Sequence, residues 1–269
     1  MGHSPATVVS VGTPAPMFRR IGLDIEDPEA LQVAPGPDSA VGVYFSPGDP
    51  AGQGRNYTVR RHRGARVEID VFVQSDGPGA TWARTAREGQ RVGLDHARSW
   101  YRPPVSARWQ LLVCDVAGLP AAARILEEIS PDTSAVVVAE VLDEAHLECL
   151  RVRGDVTVVS SVGTGNGAGP SRLAAMVQGL TLPPDFGYCW FGGEAAQSRT
   201  IRSHLRGRGW TIDQTDITGY WRWNSKEWDA RYALVADTLF ADYQRAVAAG
   251  RGEKAAAEEF DEALEREGL

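Results

Sequence analysis

The sequence predicts an antiparallel β-barrel, then a doubly wound parallel α/β domain, then a helical extension. Three observations predict it. The first hundred residues contain short runs of β-branched and aromatic residues separated by Gly/Pro turns, the pattern of a barrel. After Tyr101-Arg102-Pro103-Pro104 the runs become apolar on both faces and alternate with helical patterns, as in a covered parallel sheet. The last forty residues are rich in alanine and glutamate.

The barrel strands are expected at residues 7–11, 18–25, 40–45, 57–61, 67–73 and 91–94, with one helix over 81–86. Clusters such as Pro35-Gly36-Pro37-Asp38 and Ser46-Pro47-Gly48-Asp49-Pro50 supply the turns. In the second half, strands at 109–115, 135–141, 156–160 and 188–191 alternate with helices at 119–129, 171–180 and 195–206. These segments divide the chain into residues 1–105, 106–225 and 226–269, with a break in the last part near Gly250-Arg251-Gly252. Pockets in doubly wound sheets lie at the carboxyl ends of the strands, which singles out Asp115 and the Gly192-Gly193-Glu194 turn.

Composition narrows the function classes. A formal charge of −7 over 269 residues speaks against nucleic acid as the main partner. Cys114, Cys149 and Cys189 are widely spaced without a CxxC pair, and the five histidines stand singly, so neither a disulfide framework nor a metal site is expected. No apolar run has the length of a membrane span and the first residues lack a signal pattern, so a cytoplasmic protein is expected.

The segment Arg55-Asn56-Tyr57-Thr58-Val59-Arg60 begins a barrel strand. It offers an aromatic face, a hydroxyl and two cations, the groups that a flavin ring and its pyrophosphate require. On these residues alone, a basic edge strand with a core tyrosine fits as well. The strand Asp70-Val71-Phe72-Val73-Gln74 then leads through Asp76-Gly77-Pro78-Gly79 into Ala80-Thr81-Trp82-Ala83, where small residues open a helix whose free N–H groups suit an anion.

Together the RxYTxR strand and this turn resemble the siderophore-interacting protein family, flavin-dependent ferric-siderophore reductases of the ferredoxin-reductase type. Leu111 to Ala121 is similar to that family's LLxGDETALPA segment. Gly193-Glu194-Ala195 with Arg202 and Leu205-Arg206 is similar to its GEA…R…LR segment, and Gly219-Tyr220-Trp221-Arg222 to its GYWR signature. The motifs run in family order over residues 6–226.

The resemblance implies a barrel that binds FAD and an α/β domain that receives NADPH or NADH. It places Arg55 and Arg60 on FAD phosphates, Tyr57 on the isoalloxazine, Thr58 near N5 and Gln74 beside the flavin. Ala80, Thr81 and Trp82 would complete the pyrophosphate and adenosine side, and Asp115, Gly193, Glu194 and Ala195 would border the nicotinamide. Trp221, Arg222 and Lys226 would face the substrate, a ferric siderophore that is reduced to release ferrous iron. No residue is expected to serve as acid or base, because the redox chemistry belongs to the cofactor. An organic substrate of secondary metabolism, or a flavin or siderophore carrier without turnover, are the alternatives.

Departures from the family pattern accompany these matches. Gln74 stands where the family usually has histidine, and Cys114, Val116 and Ala117 replace Gly, Glu and Thr of the GDET segment. Gly42 replaces the lysine of VKLxF, and residues 95–101 are bulkier than the usual Gly-Pro-Gly-Gly. The glycine-rich stretch Gly163 to Pro170 lacks the lysine of a phosphate loop and reads as a flexible connection. Cys114 reads as a packed small hydrophobe and His96 and His204 as lone, non-catalytic histidines.

Overall fold

The computed structural model describes residues 3–46, 54–73 and 77–269. The barrel comprises β1 (His3–Gly12), β2 (Phe18–Ile25), β3 (Ala40–Tyr44), β4 (Gly54–Arg63), β5 (Arg66–Phe72) and β6 (Arg91–Arg98). These six strands close in the order β1-β2-β5-β4-β3-β6, every pair antiparallel. Inward residues such as Val8, Ile21, Leu23, Val41, Val43, Ile69 and Leu94 are fully buried and form one core. Each such side chain contributes about 2 kcal/mol on burial. Two short helices cover the barrel: α1 (Pro28–Leu31) and α2 (Pro78–Thr85).

The second half contains β7 (Trp109–Cys114), α3 (Leu119–Glu128), β8 (Ser134–Val141), β9 (Val156–Val162), α4 (Leu173–Gln178), β10 (Gly187–Glu194), α5 (Ala195–Gly207) and β11 (Thr215–Trp221). The sheet is parallel throughout, in the order β11-β10-β7-β8-β9, with separate apolar cores on its two faces. The expected strands and helices are present with shifted ends. β11 was not expected from sequence, because Thr215–Trp221 is half polar and interrupted by Gly219. The extension is α6 (Ser225–Tyr232), α7 (Ala236–Ala248) and α8 (Glu253–Arg266), broken at Gly250-Arg251-Gly252 as expected. It folds back on the sheet edge through the ion pairs Arg202–Asp261, Arg206–Glu258 and Lys254–Asp216. No helix among the described residues is long and apolar enough to cross a membrane.

Helix α3 joins the halves. Every residue from Leu119 to Leu126 is buried, including Arg124, because the helix lies between sheet and barrel. Its guanidinium donates to the Val59 carbonyl at 2.7 Å, the Ser39 hydroxyl at 3.0 Å and Glu128 at 2.6 Å. One turn further, Glu127 accepts both arms of Arg60, at 2.6 and 2.7 Å.

Candidate functional site

A cavity of about 810 Å³ opens between the barrel and the carboxyl ends of the sheet, in the size range of small-molecule sites. From the barrel it is lined by Arg55, Tyr57 and Thr58 of β4 and by the Gly77-Pro78-Gly79-Ala80 turn into α2. From the sheet it is lined by Val116, Ala117 and Pro120 after β7, and by Tyr220 and Trp221 at the end of β11. Trp100, on the segment joining the halves, also lines it.

The walls carry unused polar groups. Thr58 Oγ1 and Tyr220 Oη are buried, and neither has a hydrogen-bond partner of good geometry among the described residues. Buried hydroxyls are usually paired, so these two are open to hydrogen bonds from a ligand in the cavity. Burial pushes the Tyr220 phenol up, with Asp38 adding to it and the nearby Thr58 hydroxyl opposing it. Burial likewise pushes Tyr57 up, and the Arg55 charge pulls it back. At Gly79 a Cβ would stand 1.8 Å from the Tyr57 hydroxyl, so the turn into α2 approaches the ring only because it lacks a side chain. An aromatic ring, a cation, two hydroxyls without a well-placed partner among the described residues and a helix start with glycine at 77 and 79 form a set that fits FAD.

Several sequence expectations need correction. Arg60 is 4% exposed and does not line the cavity. The β4–β5 register slips between Val59 and Arg61, and such a bulge redirects the side chain, here onto Glu127. Trp82 is buried against Phe45, with ring centroids 5.0 Å apart, and stays behind the wall; Thr81 is exposed on α2 and does not line the cavity, although Ala80 does. Asp115 is also hidden, at 1% exposure. Its carboxylate accepts from the backbone N–H of Ala117, Gly118 and Glu194 and from Trp221 Nε1 at 2.6 Å.

The amides that a doubly wound fold offers to phosphate are therefore used internally. Asn166 takes the Val116 N–H, Asp115 takes the next two, and Glu194 caps α5 through Ala196 and Gln197. Gly193 packs against Asp115, where a Cβ would stand 2.9 Å from a carboxylate oxygen. The loop holding Asn166 is pinned to the buried Glu140, which accepts from Thr164, Ser171 and the Arg172 N–H, rather than being a free connection.

The three substrate expectations separate. Trp221 lines the cavity, whereas Arg222 lies over the Trp228 ring at 4.0 Å. Arg222 and Ala195 line a neighbouring cavity of about 1210 Å³ under α7 and α8, which shares Trp100 and Arg98 with the first. Gln74 lies outside the described residues, as does the side chain of Lys226 in α6. Sequence reading missed Tyr220, whose signal was its place in the GYWR signature, and Asp38, which read only as a turn residue.

Two family patterns match the chain: the siderophore-interacting FAD-binding domain over residues 25–98 and the siderophore-interacting protein over residues 107–224. The chain belongs to the siderophore-interacting protein family. Its barrel is the FAD-binding domain of that family. The chain is similar to the NADPH-dependent ferric-chelate reductase of Escherichia coli K12, with 28% identity over 184 residues, 65% of this chain and 68% of that one. The siderophore-interacting protein from Acinetobacter baumannii superposes with a TM-score of 0.76 at 25% identity, covering 90% of this chain and 100% of that one. A ferredoxin NADP+ reductase from Neisseria gonorrhoeae shares the fold, with a TM-score of 0.62 at 14% identity over 82% of this chain and 100% of that one.

Asp115 has a pH signature in this family member. Burial pushes its carboxyl up from 3.8 to about 6, against four hydrogen bonds of which the one from Trp221 is the strongest. The native state therefore holds this proton more tightly than the unfolded chain does. The stability it contributes is complete below 3.8 and is lost as pH rises through about 6. Protonation weakens the Trp221 contact, so tryptophan emission is expected to titrate with a midpoint near 6. The Trp221→Phe protein is expected to lack that transition, and a transition unaltered in it would contradict the assignment.

Proposed function

We propose that this protein is an FAD-dependent reductase that takes electrons from NADPH or NADH and delivers them to a ferric siderophore. The observation that carries this reading is the cavity in which Tyr57, Thr58 and Arg55 face the unpartnered Tyr220 hydroxyl across the domain boundary. Bound there, FAD supplies hydride acceptance and single-electron release.

The chain's residues hold and shield it. Arg55, exposed and among the described residues donating to the neighbouring Gly54 carbonyl, is available to phosphate. Tyr57 supplies the stacking face, and the hydroxyls of Thr58 and Tyr220 supply hydrogen bonds to ring heteroatoms. Val116, Ala117 and Pro120 keep water from the sheet side. The dinucleotide approaches from that side, where its phosphates meet a turn already satisfied by Asp115 and Asn166. Arg222 in the adjoining cavity offers a cation to an anionic chelate. Iron leaves after reduction because ferrous iron is a softer partner for hard oxygen ligands.

A second reading, an organic acceptor such as a quinone, is favoured by one observation. A Cβ at Gly42, where family members carry lysine, would stand 2.4 Å from the Asp95 carboxylate, so this part of the barrel presents a carboxylate in place of that lysine. Steady-state assays with NADPH or NADH, comparing a ferric siderophore with a ferrous trap against a quinone, separate the two. Ferrous iron formed at a catalytic rate with the chelate supports the first. Turnover with the quinone alone supports the second.

A further inference from the structure

Asp38 lies in the turn before β3 and is completely buried. Among the described residues its carboxylate gathers four donors from two parts of the molecule, the segment 99–101 and strand β10. Oδ1 accepts from the Ser99 hydroxyl at 2.5 Å, and the Trp100 N–H reaches both oxygens at 3.1 Å. Oδ2 accepts from the Tyr101 N–H at 2.8 Å and from Trp190 Nε1, on β10, at 3.1 Å. All four donors are uncharged, so the negative charge is met by dipoles and by no cation within this set.

These contacts lead to the cavity wall. Trp100 lines the cavity, and its ring lies 6.4 Å from that of Tyr220. Trp190 stands edge-on to Tyr220 from the other side at 6.3 Å. Asp38 thus fixes two ring neighbours of the phenol whose hydroxyl lacks a partner of good geometry among the described residues. Its field reaches that phenol, since after burial it is the next cause holding the Tyr220 proton in place.

We propose that Asp38 is a positioning residue for the flavin, fixing the Trp100–Tyr220 wall and, through its charge, holding the reduction potential of bound FAD low. The inference rests on FAD occupying this cavity. Reduction adds electron density to the ring system, and a buried anion behind the wall opposes that addition in a low-dielectric site. A lower potential makes the reduced flavin a stronger donor toward an iron chelate.

The network allows a test in which charge and structure separate. In Asp38→Asn an amide nitrogen replaces Oδ1 and donates to the Ser99 hydroxyl, which turns to accept. Oδ2 keeps all three N–H donors, the Trp100 N–H giving up its arm to Oδ1, so the charge is lost while each donor keeps an acceptor. Ser99→Ala does the opposite, leaving the charge and removing one dipole that offsets it. Midpoint potentials of the FAD-loaded proteins are measured by anaerobic reduction against a reference dye. Asp38→Asn is expected to shift the potential to more positive values and Ser99→Ala to more negative ones, with FAD content unchanged. A merely structural role moves both variants the same way. Unshifted potentials, or shifts of the same sign, overturn the inference. Should Asp38→Asn fail to fold, Ser99→Ala decides alone, and a potential that does not fall overturns it. A parent protein that binds no FAD would instead overturn the reading on which the inference rests.

Discussion

Tyr57→Ala is expected to purify with less than about a tenth of the FAD bound by the parent protein. Ring-on-ring stacking contributes about 1–3 kcal/mol per base where aromatic platforms have been truncated, and a flavin presents a larger face than a base. A loss of about 2 kcal/mol corresponds to roughly thirtyfold in affinity. The ratio of visible to near-ultraviolet absorbance in freshly purified protein reads the effect directly. Tyr57→Phe keeps the ring and is expected to keep the flavin. Full occupancy in the alanine variant would remove Tyr57 from the site.

Arg124→Leu is expected to have the largest effect on stability. The substitution strips the Val59 carbonyl and the Ser39 hydroxyl of a buried donor, while Glu128, 45% exposed, returns to water. Each abandoned buried acceptor costs about 1–3 kcal/mol, so a total near 3 kcal/mol follows. At about 2–4 °C per kcal/mol for a chain of this size, Tm falls by roughly 6–12 °C. Flavin affinity falls as well, because Val59 follows Thr58 directly and α3 holds that part of β4 against the sheet. Thermal unfolding with and without added FAD measures both effects. An unchanged Tm would show that α3 does not carry the domain interface.

Much of this fold was legible because local patterns agreed with one another. Short β-branched runs between Gly/Pro turns became barrel strands, and runs apolar on both faces became the inner strands β7 and β8. Arg55, Tyr57 and Thr58 of β4, singled out by residue type, line the cavity together with Asn56. Arg60 departs from the expected phosphate contact, because a bulge that no residue type announces sends its side chain to Glu127. β11 escaped notice because an edge strand with Thr, Asp and Gly lacks the apolar density of its neighbours.

The hidden roles of Asp38 and Asp115 depended on donors more than 60 residues away in sequence, such as Trp190 and Trp221. Arg124 did leave a trace: it is the lone charge between Leu119 and Leu126, in a segment otherwise apolar all round. A single charge in such a helix signals a buried partner.

The central claim, that the cavity between barrel and sheet runs flavin chemistry toward iron, meets its most direct test in a single anaerobic stopped-flow experiment. The FAD-loaded protein is mixed with NADPH or NADH, and the bleached protein is then mixed with a ferric siderophore. The account predicts loss of the flavin bands in the first step and their return, with ferrous iron trapped in equal electron count, in the second. Flavin bands that neither nicotinamide bleaches, or a reduced protein that the ferric chelate leaves bleached, would contradict it.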